Sequence, residues 1–199
     1  ANLPLHVGGH RSLSVQGQDH YLRMTPAEVT LYGRVPLPGW VNQLGLAEVF
    51  KVVPDAKLGL AALTPALLAD PEAMRGAGLV LMPGDRPDTP LATSLSERAI
   101  LELLLGVPQS ATAADADAIL QGLTRLRPAL MSALLRRCAS IKVKRLFLAL
   151  SERHGHAWFK HLDLAGVDLG AGKRVLAAGE RMHPKYQISL PKDLDEQLG

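Results

Sequence analysis

The stretch Ile141-Lys-Val-Lys-Arg-Leu-Phe-Leu-Ala-Leu150 decides how the chain is read. Val143, Leu146, Phe147 and Leu150 fall at i, i+3, i+4 and i+7, the spacing of one helix face. That spacing predicts an amphipathic helix that buries this stripe and leaves Lys144 and Arg145 pointing outward. Downstream, Trp158-Phe-Lys-His-Leu162 reads as a short amphipathic piece and the glycine-rich Gly166-Val-Asp-Leu-Gly-Ala-Gly-Lys-Arg174 as a loop. Residues 175–178 read as a strand. Lys185-Tyr-Gln-Ile-Ser-Leu190 alternates, with Tyr186, Ile188 and Leu190 on one face and Lys185, Gln187 and Ser189 on the other. Joined through residues 179–184, the two runs predict a C-terminal β-hairpin.

Upstream of this stretch the signals alternate between helix and strand. Ser94-Leu-Ser-Glu97 has the form of a capping box ahead of a helix that meets Gly106 and Pro108. Thr112-Ala-Ala-Asp115 opens a second helix, with Ala116, Ile119, Leu120 and Leu123 on one face. Pro128 opens a third, where Leu130, Met131, Leu134, Leu135 and Cys138 share a face, so Cys138 reads as a small core residue. Thr64-Pro65 and Asp70-Pro71 each put a capping oxygen before a proline, predicting helical structure within 65–75. Residues 29–33, 48–53 and 79–82 read as strands, 83–90 as a loop, and 11–16 as a helix ended by Gly17. The expected class is mixed α+β: helices packed on a small mixed sheet, with the C-terminal hairpin. Residues 1–92 form a strand-and-helix part and 93–199 a helical part with a basic helix-loop-hairpin, the two making one compact unit.

At 199 residues the chain has room for one domain, or one with an appended subdomain. Hydrophobic residues at 47% and charged residues at 21% exclude disorder. With two Trp, three Tyr and three Phe, the core must be built mostly of Leu, Val and Ala. A single cysteine excludes a disulfide framework and a multi-cysteine zinc site, and points to the cytoplasm. No apolar run reaches the ~20 residues that cross a bilayer, so no membrane partner is expected. The first residues lack the basic and apolar regions of a signal peptide, and the start at Ala1 rather than Met reads as a fragment or a processed form.

Charge is unevenly spread. Residues 1–92 carry 7 basic and 8 acidic side chains, whereas residues 136–174 carry nine basic against three acidic, a net of +6. Such a concentration attracts phosphate or an acidic protein surface, although a solvated helix face would look the same.

Most chemical motifs fail. Gly170-Ala-Gly-Lys173 is similar in form to the end of a P-loop, but Val167 stands where its first glycine belongs and Arg174 replaces the magnesium-binding hydroxyl. The loop could still present backbone amides with Lys173 and Arg174 to a phosphate, or simply use its glycines to turn. His154, His156 and His161 lack an obvious fourth metal ligand, so no metal or other cofactor is expected. Asp55-Ala-Lys57 after a strand has the form used by magnesium-dependent nucleases, which also need an upstream acid; only Asp19, Glu28 or Glu48 would serve.

Five ordered blocks carry a resemblance. They are Val7-Gly-Gly-His-Arg-Ser-Leu-Ser-Val-Gln-Gly17; Ser94-Leu-Ser-Glu-Arg-Ala-Ile-Leu-Glu-Leu-Leu104 with its helix; Lys142-Val-Lys-Arg-Leu-Phe-Leu-Ala-Leu-Ser-Glu-Arg-His-Gly-His-Ala-Trp158 with Leu162-Asp-Leu164; Asp168-Leu-Gly-Ala-Gly-Lys-Arg-Val175; and Tyr186-Gln-Ile-Ser-Leu-Pro191. Together they closely resemble the AbiEi antitoxin family of type IV toxin–antitoxin systems. The resemblance implies an antitoxin that represses its own operon, a nucleotidyltransferase-like toxin as cognate partner, and a role in abortive infection against phage. It also implies that operator DNA is read by an N-terminal winged helix, with this chain as the C-terminal antitoxin module. No catalytic residue follows from it.

The reading is therefore a non-enzymatic binding module. Its expected contact set for nucleic acid or a protein partner is Lys142, Lys144, Arg145, Arg153, Lys160, Lys173, Arg174 and Lys185. The alternatives are a magnesium-dependent nuclease using Asp55 and Lys57, and a purely structural dimerisation domain.

Overall fold

The computed structural model describes residues 3–18, 28–45, 48–84, 89–177, 180–191 and 194. Strands β1 (Leu5–Val7), β2 (Glu28–Gly33), β3 (Val49–Pro54), β4 (Leu79–Met82) and β5 (Leu91–Ser94) form one mixed sheet in the order β3-β2-β1-β5-β4. β1 lies antiparallel to β2 and parallel to β5; β2 and β3 are parallel, β4 and β5 antiparallel. The parallel pair β2–β3 needs a crossover, which includes the 3-10 turn Gly39–Gln43. Strands β2, β3 and β4 lie where alternation and apolar runs predict them. β1 and β5 were not signalled, being short and, in β5, polar.

Among the described residues, seven helices accompany the sheet: α1 (Gly9–Val15), α2 (Pro65–Leu68), α3 (Pro71–Gly76), α4 (Ser96–Leu105), α5 (Ala113–Gly122), α6 (Pro128–Arg137) and α7 (Ile141–His154). The proline caps form as expected: Thr64 Oγ1 accepts from Leu67 N, and Asp70 Oδ1 accepts from Glu72 N and Ala73 N. Thr112 and Asp115 make a reciprocal capping box. The other expected box does not form. Ser94 belongs to β5, the N-cap of α4 is Leu95 without a side-chain bond, and Glu97 instead accepts three bonds from Arg127. Ser94 lies in the strand, where its hydroxyl donates to the buried Glu102.

The helix α4 ties the halves together, touching α1, β5, α5, α6 and α7. Its apolar residues join α5, α6, α7, Trp158 and Tyr186, Ile188 and Leu190 in one large core; Leu63, Met74, Leu79 and Ala92 form a smaller one under α3. Cys138 lies in the large core at 2% exposure, as its spacing predicts, and burial pushes its thiol pKa up.

The C-terminal hairpin exists, with different strands. β6 (Arg181–Met182) pairs antiparallel with β7 (Ser189–Leu190), and the turn runs through residues 183–188. Val175 is exposed at 68% and in no strand; Arg174 makes only an isolated bridge to Ile188. Residues 178 and 179 of the expected first strand and connection lie outside the described residues, as do residues 85–88 of the expected loop. Among the described residues, no helix is long and apolar enough to cross a membrane.

Candidate binding surface

The helix α7 overturns one expectation and organises the rest of the site. Its residues 143–151 are all buried, so the helix is covered on every side rather than along one stripe. Lys144 and Arg145, expected to point outward, are each 3% exposed. For Arg145 the physical reason is that the segment after α7 folds back over that side of the helix. Arg145 Nε donates to Leu169 O at 2.6 Å, Nη1 to Gly172 O at 2.5 Å and to Gln187 O at 3.0 Å, and Nη2 to Gly170 O at 2.9 Å. The planar five-donor fork of a guanidinium suits this convergence of carbonyls, and an ammonium does not.

The neighbouring cations are also used internally. Lys142 Nζ donates to Leu105 O at 2.8 Å and Val107 O at 2.5 Å, capping the carbonyl end of α4. Burial pulls its pKa down. Arg153 Nη1 lies 3.5 Å from Asp117 Oδ2, with both side chains largely covered. Lys185 is more exposed and ion-paired to Glu152; that hydrogen bond holds its pKa up, and its ammonium lies 5.1 Å above the Tyr186 ring.

Lys160, Lys173 and Arg174 are exposed, and among the described residues their side chains make no ion pair or hydrogen bond. Arg137, exposed at the end of α6, is a further cation outside the expected set. The Arg145 fork gathers backbone from residues 169–172 and 187, and Arg174 N donates to Gln187 O at 2.8 Å. Lys173, Arg174 and the turn bearing Lys185 are thus brought together. Lys160 is on the 3-10 turn Ala157–His161, which packs against α6.

The three histidines do not converge. His154 Nε2 lies 3.0 Å from Asp117 Oδ1, His156 Nε2 donates to Leu120 O at 2.9 Å, and His161 is exposed. Among the described residues, no group of three or more His, Cys, Asp or Glu side chains is placed to hold a metal ion.

The alternative site also comes apart. Asp55 follows β3, is 1% exposed, and accepts from Arg34 Nε at 3.2 Å. In the parallel pair Glu28 faces Val49 and Gly33 faces Pro54, so Glu28 and Glu48 lie at the opposite end of the strands. At ~3.3 Å per residue that places them roughly 20 Å from Asp55, too far to share a magnesium ion. Asp19 lies outside the described residues.

One buried cluster had no local signal in the sequence. Glu102 on α4 accepts from His6 Nε2 at 2.8 Å, Gly9 N at 3.0 Å, Ser94 Oγ at 2.8 Å and Arg98 Nε at 2.8 Å. Tyr32 Oη donates to its backbone carbonyl at 3.1 Å, and Arg98 Nη1 donates to Ala61 O and Ala77 O. The cluster locks the sheet, α1 and α4 to one another, and it is closed to a ligand: His6, Arg98 and Glu102 are each 0–1% exposed.

Residues 27–191 match a family model described as transcriptional regulator, AbiEi antitoxin, type IV TA system. No curated protein matches the sequence. Among solved structures, the crystal structure of the RV2827C protein from Mycobacterium tuberculosis is similar in fold, with a TM-score of 0.56 and 18% identity. The match covers 100% of this chain and 67% of that one.

Proposed function

The chain belongs to the AbiEi antitoxin family of type IV toxin–antitoxin transcriptional regulators, and from that premise we propose that it neutralises a nucleotidyltransferase-like toxin and supports repression of its own operon through a small set of exposed cations. In this reading it works in the cytoplasm as a binding protein rather than an enzyme, and operator sequence is read with the help of a winged-helix domain. The observation that carries the reading is the sorting of the basic residues. Lys142, Arg145 and Arg153 are committed to internal acceptors, whereas Lys160, Lys173 and Arg174 remain exposed without an anionic partner among the described residues. Cations left in water add affinity for phosphates without specifying bases.

The test is simultaneous replacement of Lys160, Lys173, Arg174 and Lys185 by Glu. The variant is expected to keep its unfolding temperature within a few degrees, to lose toxin neutralisation in cells, and to lose DNA retention at low salt. Each phosphate contact removed should lower the slope of log K against log salt by about 0.9. A folded variant that still neutralises and still binds DNA with the original slope would remove the proposal. Charge reversal at Lys142 is the contrasting control: it should unfold the chain, because its ammonium closes the end of α4.

A further inference from the structure

The turn at residues 169–174 sorts its own backbone polarity. The carbonyls of Leu169, Gly170 and Gly172 all accept from the Arg145 guanidinium. A trans peptide holds its C=O and N–H antiparallel, so the next amide in each case points away from Arg145. Those amides belong to Gly170, Ala171 and Lys173. Gly170 N donates to Asp168 Oδ1 at 2.7 Å, an oxyanion already drawn to this face. Ala171 N and Lys173 N have no acceptor among the described residues. Gly170 and Gly172 have φ of 65° and 73°, left-handed values that let the turn keep these carbonyls inward and the amides outward. Lys173 and Arg174 are exposed beside it, and the Arg174 backbone is fixed by bonds to Gln187 O and from Ser189 N.

We propose that this turn is a phosphate site: the outward amides of Ala171 and Lys173, flanked by the Lys173 and Arg174 side chains, bind an oxyanion of a nucleic-acid backbone. The inference rests on the binding-module reading above and names the ligand chemistry of part of that surface. Buried Arg145 acts as the positioning residue. By engaging the carbonyls of Leu169, Gly170 and Gly172 it holds the amides that follow them in the outward orientation before any ligand arrives, which lowers the cost of binding. Specificity for sequence is not expected, because contacts to the phosphate backbone carry no sequence information.

The experiment titrates the full chain, labelled with nitrogen-15, with inorganic phosphate, a short DNA duplex and a short RNA hairpin, each at 50 and 200 mM salt. The expected result is that the Ala171 and Lys173 amides shift with all three probes, and that both nucleic acids bind at least tenfold more weakly at the higher salt. Gly172→Ala separates backbone from charge. A Cβ there meets nothing within 4 Å, so its effect comes through the positive φ, while both cations stay. It should weaken nucleic-acid binding several-fold, and Lys173→Ala with Arg174→Ala should weaken it further. Shifts with phosphate alone would assign the site to a free phosphate and overturn the nucleic-acid proposal. Full affinity in Gly172→Ala would reduce the site to a charge patch and overturn the role of the amides. If toxin neutralisation depends on Lys173 and Arg174 while none of the probes moves the amides, the partner is an acidic protein surface. The phosphate site then fails and the antitoxin reading stands.

Discussion

Glu102 places a carboxylate where water does not reach, and four donors surround it. Burial alone would raise its pKa; the His6 ring and the Arg98 guanidinium outweigh that and bring it from 4.5 down to about 2. The folded state therefore takes up this proton less readily than the unfolded chain. Its stabilising contribution is complete above about pH 4.5 and is lost as pH falls through 2, an effect of about 3 kcal/mol. Urea titrations across that range should show wild type losing more stability on acidification than Glu102→Gln; equal losses would contradict the account. At neutral pH, Glu102→Ala should cost roughly 3–5 kcal/mol, because it strands the buried Arg98 and His6 without their acceptor. None of this was legible locally. His6 and Glu102 are 96 residues apart, and in Leu-Glu-Leu-Leu-Leu105 the glutamate looks like any solvent-facing break in an apolar run. Cys138 was legible because its helical spacing alone assigns it to the core.

At the scale of elements, what could be read depended on how far away the partner lies. The caps Thr64, Asp70 and Thr112 act within three residues of themselves, and all form as written in the sequence. Ser94-Leu-Ser-Glu97 has the same form, but tertiary acceptors and donors outcompete the local bonds. α7 shows the same limit on a larger scale. Periodicity identified its apolar face, yet could not reveal that a later loop covers the opposite face. Arg145 is the joint between helix and loop, which leads to a prediction. Arg145→Ala should destabilise the chain by about 2–4 kcal/mol, since charge-assisted bonds are lost and carbonyls are left under-satisfied. Trypsin should then cut after Lys173 or Arg174 well before the rest of the chain. Arg145→Lys should restore little, because one ammonium cannot span the carbonyls that the fork reaches. Unchanged cleavage in Arg145→Ala would show that the loop is held by other contacts.

For the whole molecule, the composition shift near residue 92 and the fold divide the chain differently. The sequence turns from strand-rich to helix-rich there, and charge turns from −1 over residues 1–92 to strongly positive over 136–174. Yet residue 92 lies inside β5, and β5 sits between β1 and β4 within the sheet. The Glu102 cluster then pins α4 to β1 and to the start of α1. Neither part can complete its polar contacts alone: residues 1–92 would keep His6 without Glu102, and residues 93–199 would keep Glu102 and Arg98 without their sheet. Stranded buried groups of this kind cost more than a small domain's margin of roughly 5–15 kcal/mol can readily absorb. The chain should therefore unfold as one unit. Helical circular dichroism, which reports mainly α4–α7, and hydrogen exchange at β1 and β2, which reports the sheet, should give the same global free energy. Residues 1–92 and 93–199 expressed apart should each be unfolded or aggregated. A folded 93–199 fragment with its own cooperative transition would show that the helical part is autonomous, and that the charged cluster adds contact between two domains rather than holding one together.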